Sequence, residues 1–276
     1  MKSGEKNGVS LPLKGVDVII TRPSQQAEGM IERICDLGGV PHIAPVIEIH
    51  YRDNARVDQM IQNLSDYDVV VLTSANTVRS LDAAAKRVGR QLPESSITWI
   101  AISEKTKEVA ANHGIAAEVY HGVRSSVELA HHMIESFAGK PNTRFLVPRG
   151  NLSDTQFIEN LRDAGYAVDE CICYDTVECH VPRARWQDLF KAERIAILLF
   201  SPSAVKSLLK QVGPAHFKQR NVQFVVVGET TKQACEKLEL EVAAVAEHPS
   251  SESVIDAVVD VMRPKVKRVK DRQDKF

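Results

Sequence analysis

The sequence predicts an α/β fold of doubly wound parallel sheets with an internal duplication, and three observations carry that prediction. Residues 195–209, IAILLFSPSAVKSLL, pass from a continuous apolar run to small hydroxyl residues and then to apolar spacing of helical period. They read as strand, tight turn, helix. Residues 67–81, YDVVVLTSANTVRSL, repeat that order, with Ser74 answering Ser201 at an offset of about 127 positions. The repeat then extends along the chain. Residues 97–114 match 222–240, residues 125–128 answer 250–253, and residues 16–49 resemble 143–177, so three modules are each written twice. Strands alternating with helices imply parallel sheets covered on both faces, and a duplicated chain of 276 residues favours two cores over one.

The elements follow in order. Residues 1–15 are expected to be a flexible leader, and strand 16–20 exits through Thr21-Arg22-Pro23. A helix over about 25–37 carries Met30, Ile31, Ile34 and Leu37 on one face and stops at Gly38-Gly39. Residues 40–49 return as a strand whose Pro41 and Pro45 place it at an edge or leaving its sheet. After the polar interval 51–56 and a helix to Leu64 comes the first strand-turn-helix copy. Strand 98–102 then runs into Ser103-Glu104-Lys105-Thr106, and helix 127–137 shows Leu129, Met133, Ile134 and Phe137 on one side. A short strand at 145–147 exits through Pro148-Arg149-Gly150-Asn151, and Ser153 with Gln156 reads as a capping box for helix 153–164. Strand 168–177 alternates and carries Tyr174, and residues 180–185, with Pro182, read as a linker. The second half repeats the scheme through strand 222–227, the turn Gly228-Glu229-Thr230-Thr231, strand 242–246 and helix 252–262, ending in a basic tail at 263–276 expected to be disordered.

Composition narrows the partners. A formal net charge of −1 and a pI near 6.8 give no global field for nucleic acid or membrane, and no apolar run reaches spanning length. The N-terminal residues lack a signal-like apolar core, which places the chain in the cytoplasm. Five cysteines, mostly within apolar stretches, suit reduced thiols. Cys171 and Cys173 share one strand face, as buried thiols or as a metal or redox pair, and no second pair stands at ligand spacing.

The strand-to-helix turns carry the chemistry. None has the spacing of a phosphate loop, a dinucleotide fingerprint, a nucleophile elbow or a zinc site. Their shared vocabulary is Ser, Thr, Asn, Gly and an occasional Arg, which are donors suited to a polyanion at sheet carboxyl ends or, more plainly, helix caps.

Seven segments taken together resemble a known family. TRP at 21–23, LTSANTV at 72–78, VPRGN at 147–151, CICYDTV at 171–177, FSPSAV at 200–205, VVVGETT at 225–231 and AEHPSSESVIDAV at 246–258 are similar, in this order, to uroporphyrinogen-III synthases. The resemblance implies two α/β domains joined by a two-stranded connection with exchanged modules: residues 16–49 plus 183–262 in one, residues 50–182 in the other. It implies cyclisation of the linear tetrapyrrole hydroxymethylbilane, with loss of water and inversion of the last ring through a spiro-pyrrolenine. No metal or cofactor is implied, the chain is expected to act as a monomer, and hand-over from the preceding deaminase is the one macromolecular contact it suggests.

By position, the resemblance makes Tyr174 the residue that assists departure of the hydroxyl, unless its ring simply packs against the domain connection. It places Thr21, Arg22, Ser201, Ser203, Gly228, Thr230 and Thr231 at the substrate from one domain. From the other come Thr73, Ser74, Asn76, Ser103, Thr106, Arg149, Gly150 and Asn151. Glu104 and Glu229 depart from the family's Gly-Pro turns, and a carboxylate there would repel a polyanion unless it points away. That departure leaves a non-catalytic tetrapyrrole- or anion-binding relative as the alternative function.

Overall fold

The continuous apolar runs form the central strands of two sheets. In the computed structural model, which describes residues 11–92, 96–123, 126–218, 222–246, 248 and 250–263, β4 (Val69–Leu72) and β9 (Ile195–Leu199) are buried along their whole length. Burial on both faces is the condition for an uninterrupted apolar strand. The chain divides into two units: one holds the residues up to Glu48 and from Glu178 onward, the other Ile49–Val177.

Unit 1 is a parallel sheet of β1 (Asp17–Ile20), β2 (Val40–Ile43), β9, β10 (Val222–Val227) and β11 (Val242–Ala246), in the order β11-β10-β9-β1-β2. Side chains alternate across it. Val18, Ile20, Ala196 and Leu198 face α1 (Glu28–Asp36) and α11 (Ser251–Met262), while Ile19, Ile195, Ile197 and Leu199 face α7 (Arg183–Leu189), α8 (Pro202–Val212), α9 (Ala215–Lys218) and α10 (Glu229–Lys237).

Unit 2 has the order β3-β8-β7-β4-β5-β6, built from β3 (Ile47–Tyr51), β4, β5 (Thr98–Ala101), β6 (Ala117–Glu118), β7 (Arg144–Gly150) and β8 (Ala167–Glu178). Helices α2 (Ala55–Gln62), α3 (Ala75–Arg87) and α4 (Glu104–Asn112) cover one face; α5 (Ser126–Phe137) and α6 (Gln156–Asp163) cover the other. Strand β3 carries the chain into unit 2 and β8 carries it out, and the two are neighbours. They form the two-stranded connection.

The duplication is visible in the strand orders. Replacing β9, β10, β11, β1 and β2 by β4, β5, β6, β7 and β8 converts the first order into the second apart from its added edge strand β3, with the β1-β2 module preceding its partners in chain order and the β7-β8 module following them. Hydrogen bonds repeat as well. Ser80 gives its hydroxyl proton to the Cys173 carbonyl at 2.6 Å, and Ser207 gives its own to the Val46 carbonyl at 2.8 Å, both pairs buried. Ser74 caps α3 by accepting from the Thr77 N–H, and Ser201 caps α8 by accepting from the Ala204 N–H. Ser201→Ala is therefore expected to cost about 1 kcal/mol, measured by urea unfolding, with the helix content retained.

Four local expectations need correction. Residues 11–15 are not a loose leader: Leu13 is fully buried and its N–H bonds the Leu37 carbonyl, so the core recruits them. Residues 40–49 are two strands, because the chain leaves one sheet at Ala44-Pro45-Val46 and joins the other. The capping box at Ser153 does not form. Thr155 takes the cap position, and the Ser153 hydroxyl instead accepts from the Gly150 N–H. The polar stretch after His180 is not a linker beyond Pro182, which starts α7. The expectations for residues 1–10, 264–276 and Ser125 lie outside the described residues. Cys171 and Cys173 are buried thiols; burial pushes Cys173 up to about 12 and Cys171 upward, against the thiolate a metal would need.

Candidate active site

The site in unit 2 is built where β4 ends and α3 begins. Ser74 is in extended conformation at φ −168°, so its side chain folds back over the first turn of the helix. The resulting hydroxyl chain has a direction. Thr73 donates to the Pro148 carbonyl at 3.1 Å, which leaves Thr77 to donate to Thr73 across 3.0 Å. The Ser74 hydroxyl lies 3.0 Å from both the Thr77 hydroxyl and the Tyr174 phenol, so its one proton serves either neighbour.

Tyr174 reaches this position through an irregularity in β8. The register with β7 shifts between Arg149 and Gly150, so Gly150 pairs with Tyr174 and the ring lies directly over the glycine. A Cβ at position 150 would stand 2.5 Å from Tyr174 Cζ and 2.7 Å from its oxygen. Asn151 locks the arrangement: its N–H bonds the Tyr174 carbonyl at 3.1 Å and its Oδ1 accepts from the Thr176 N–H at 2.9 Å. Burial raises the Tyr174 phenol above its ordinary value, with the hydroxyls of Ser74 and Ser153 pulling the other way. The phenol is protonated at neutral pH.

The remaining residues expected at the substrate separate into those that are available and those that are not. Asn76 is partly exposed on the first turn of α3, where its Oδ1 accepts from Arg79 at 3.3 Å. Ser103 caps α4 and lies 3.0 Å from the buried Thr106 hydroxyl. Arg149 is turned away from Tyr174: it pairs with Glu170 at 2.6 Å and donates to the Gly150 carbonyl, with 12% of its side chain exposed. In unit 1, Thr21 is buried and gives its proton to the Leu198 carbonyl at 2.6 Å, tying β1 to β9. Thr106 and Thr231 are buried, as Thr21 is. Thr230 is exposed, and Gly228 starts α10 at φ 80°. Ser201 and Ser203 have hydroxyls 3.0 Å apart and are partly exposed.

Arg22 is the electrostatic feature of unit 1. Its guanidinium lies over the Phe200 ring at 4.2 Å and touches the Met30 sulfur, while its buried Nε has no partner. Burial alone pulls it down to about 10, which still leaves it cationic at neutral pH. Arg22 thus holds a cation at the end of β1 with no ion pair among the described residues. Glu104 and Glu229, the two carboxylates at odds with a polyanion, are exposed and turned to basic side chains: Glu104 to Lys107 and the His121 ring, Glu229 to Lys232 at 3.3 Å.

Four contributors were not singled out from the sequence. Thr77 and Ser153 act within their own turns, Thr77 on the Thr73 hydroxyl four residues back and Ser153 on the Gly150 N–H three residues back. Burial raises the Tyr51 phenol, Arg79 opposes the rise and Tyr174 adds to it.

The family described as uroporphyrinogen-III synthase HemD matches residues 28–256. The uroporphyrinogen-III synthase of Chlorobaculum parvum is 24% identical over 252 residues, covering 89% of this chain and 99% of that protein. That of Proteus mirabilis is 29% identical over 163 residues, 58% of this chain and 79% of the relative. Among solved structures, a mutant uroporphyrinogen III synthase from the extremely thermophilic bacterium Thermus thermophilus superposes with a TM-score of 0.66 at 18% identity, over 90% of this chain and 98% of that one. The Helicobacter pylori uroporphyrinogen-III synthetase gives 0.56 at 14% identity, over 89% and 99%. With the family matched over most of its length and the fold shared, the chain belongs to the uroporphyrinogen-III synthase family.

Proposed function

We propose that the protein cyclises hydroxymethylbilane, releasing water and inverting the last ring. The observation that carries the proposal is the Tyr174 phenol, kept protonated by burial and set 3.0 Å from a serine hydroxyl at the start of a helix. When Ser74 turns its proton to Tyr174, the phenolic proton is released for a ligand. Transfer of that proton to the substrate's terminal hydroxyl lets the C–O bond break as water departs. The electron pair pushed from the pyrrole leaves an azafulvene, and the phenolate is held by donors from Ser74 and Ser153. The last ring attacks through its substituted carbon, the spiro-pyrrolenine forms, and that ring detaches and rejoins reversed. The proton lost as the ring regains aromaticity restores the phenol. Neither step asks for a strong nucleophile.

Arg22 serves the same substrate by binding one of its carboxylates. Arg22→Gln removes the charge and keeps much of the volume, so KM is expected to rise about tenfold with kcat within twofold, the worth of one charge-assisted contact. Steady-state kinetics at constant ionic strength check this. Unchanged KM would remove Arg22 from the binding surface.

The deciding experiment supplies fresh hydroxymethylbilane, oxidises the products and separates porphyrin isomers I and III. Excess isomer III over the unaided reaction supports the proposal; isomer I alone from folded protein overturns it in favour of a non-catalytic relative. Monomeric action in the cytoplasm and hand-over from the preceding deaminase complete the proposed setting. Among the described residues no helix is long and apolar enough to cross a membrane.

A further inference from the structure

Unit 2 carries a second basic concavity that the mechanism does not use. Where β8 passes the start of α2, Arg52, Arg56, Arg149 and Glu170, with Asn54 and Ala55, line a cavity of about 480 Å³. Three guanidinium groups share its wall with one carboxylate. Arg149 is committed to Glu170 at 2.6 Å, and Arg52 is held at two points by Asp175, each 2.8 Å. Arg56 has only the Glu170 backbone carbonyl, at 3.2 Å, and no ion pair among the described residues.

The backbone adds to the field. Ala55 and Arg56 are the first two residues of α2, and Asn54 caps it by accepting from the Val57 N–H. A helix start is partially positive, so a guanidinium placed there gains nothing from its own helix and is stabilised only by an anion. Glu170 cannot be that anion twice over. Burial works to raise its carboxyl, but Arg149 and Arg162 outweigh the burial and hold it below the usual carboxylate range, already ionised and already engaged.

Arg149, the β7 residue of the cavity, is set apart from the glycine under Tyr174 by strand parity. Phe145 and Val147 face the core formed with α5 and α6, and Arg149 continues their side; Leu146 faces the other core, and Gly150 beneath Tyr174 continues its side. We infer that this cavity is a second anion site, which takes a small oxyanion, carboxylate or phosphate, on Arg56 with Arg52 and Arg149 flanking it. Planar guanidinium forks suit both headgroups.

Calorimetric titration of the full chain with inorganic phosphate and, separately, with citrate tests this at constant ionic strength. The expected result is saturable binding at one site for at least one anion, and the tighter of the two names the headgroup. Arg56→Glu should weaken it at least tenfold while Arg185→Glu, at an exposed arginine elsewhere, leaves it unchanged. Arg56→Gln, which removes the charge without reversing it, should weaken it at least threefold and stands in if the first variant fails to fold. Cyclisation by the Arg56 variants should keep kcat and KM within twofold. Absence of saturation with both anions overturns the inference, as does equal affinity in all variants. A rise in KM for the bilane that tracks the loss of anion binding also overturns it, by making the cavity part of the substrate site.

Discussion

Tyr174→Phe is expected to lower kcat about a hundredfold, the lower end of what a positioned general acid contributes, while KM changes less than about threefold. The substitution removes one oxygen and leaves the ring over Gly150. Its structural cost is limited to the bonds with Ser74 and Ser153, about 1–2 kcal/mol, so the chain should unfold within several degrees of the parent. The pH profile separates acid from bystander. Because burial raises the phenol above its ordinary value, the parent should keep constant kcat through neutral pH and lose it only in the alkaline limb, as the proton needed by the leaving hydroxyl is lost. The same shift stabilises the fold: its contribution is whole below about pH 10 and is lost as the pH rises through the folded value. Tyr174→Phe should abolish that alkaline loss of activity along with most of the turnover. A variant with parental kcat would reduce Tyr174 to a packing residue and leave the departure of the hydroxyl without a donor.

What the sequence disclosed follows from how local each feature is. The strand-turn-helix element was legible because its determinants are contiguous: an apolar run for a strand buried on both faces, a serine that caps, and helical spacing behind it. The duplication was legible for the same reason, since Ser74 and Ser201 occupy matching turns, and the strand orders of both sheets then repeat. Boundaries failed where tertiary contacts overrode local pattern. Leu13 is drawn into a core made by residues far along the chain, and β7 runs on through Pro148 to Gly150 because β8 pairs with it there.

The site was legible as a set of turns but not as a set of roles. Ser, Thr and Asn at a turn look alike in sequence whether their hydroxyls face a ligand or a carbonyl, and the partner decides. Thr21 is spent on Leu198 and Asn151 on β8, whereas Ser74 keeps a proton that two neighbours can share. Arg149 and Arg22 both stand at the carboxyl ends of strands, yet one is paired with Glu170, twenty-one positions away, and the other has an apolar ring and a sulfur for company. No spacing rule distinguishes them. The distinction arises from what β8 and β9 bring alongside.

Gly150→Ala tests whether the placement of Tyr174, and not only its hydroxyl, sustains turnover. Position 150 has no left-handed backbone to relieve, so the added methyl acts by volume alone. It would lie 2.5 Å from Cζ, 2.6 Å from Cε2 and 2.7 Å from the oxygen of Tyr174, closer than a Cβ tolerates, and the ring must swing off the strand. The swing breaks the bond to Ser74 and moves the phenol by an ångström or more, a displacement that costs about a hundredfold in rate. Overpacking of this kind should also cost about 1–3 kcal/mol. Two backgrounds identify the cause. With Tyr174→Phe already present, Gly150→Ala should take almost nothing further from kcat, because the phenol it would displace is gone. With Tyr174→Ala present it should take almost nothing from stability, because the ring it would strike is gone. If instead Gly150→Ala lowers kcat by the same factor in the Tyr174→Phe background as in the parent, the glycine acts on the reaction by a route that bypasses the phenol. If it lowers stability equally in the Tyr174→Ala background, the strain lies in the β7-β8 pairing rather than beneath the ring.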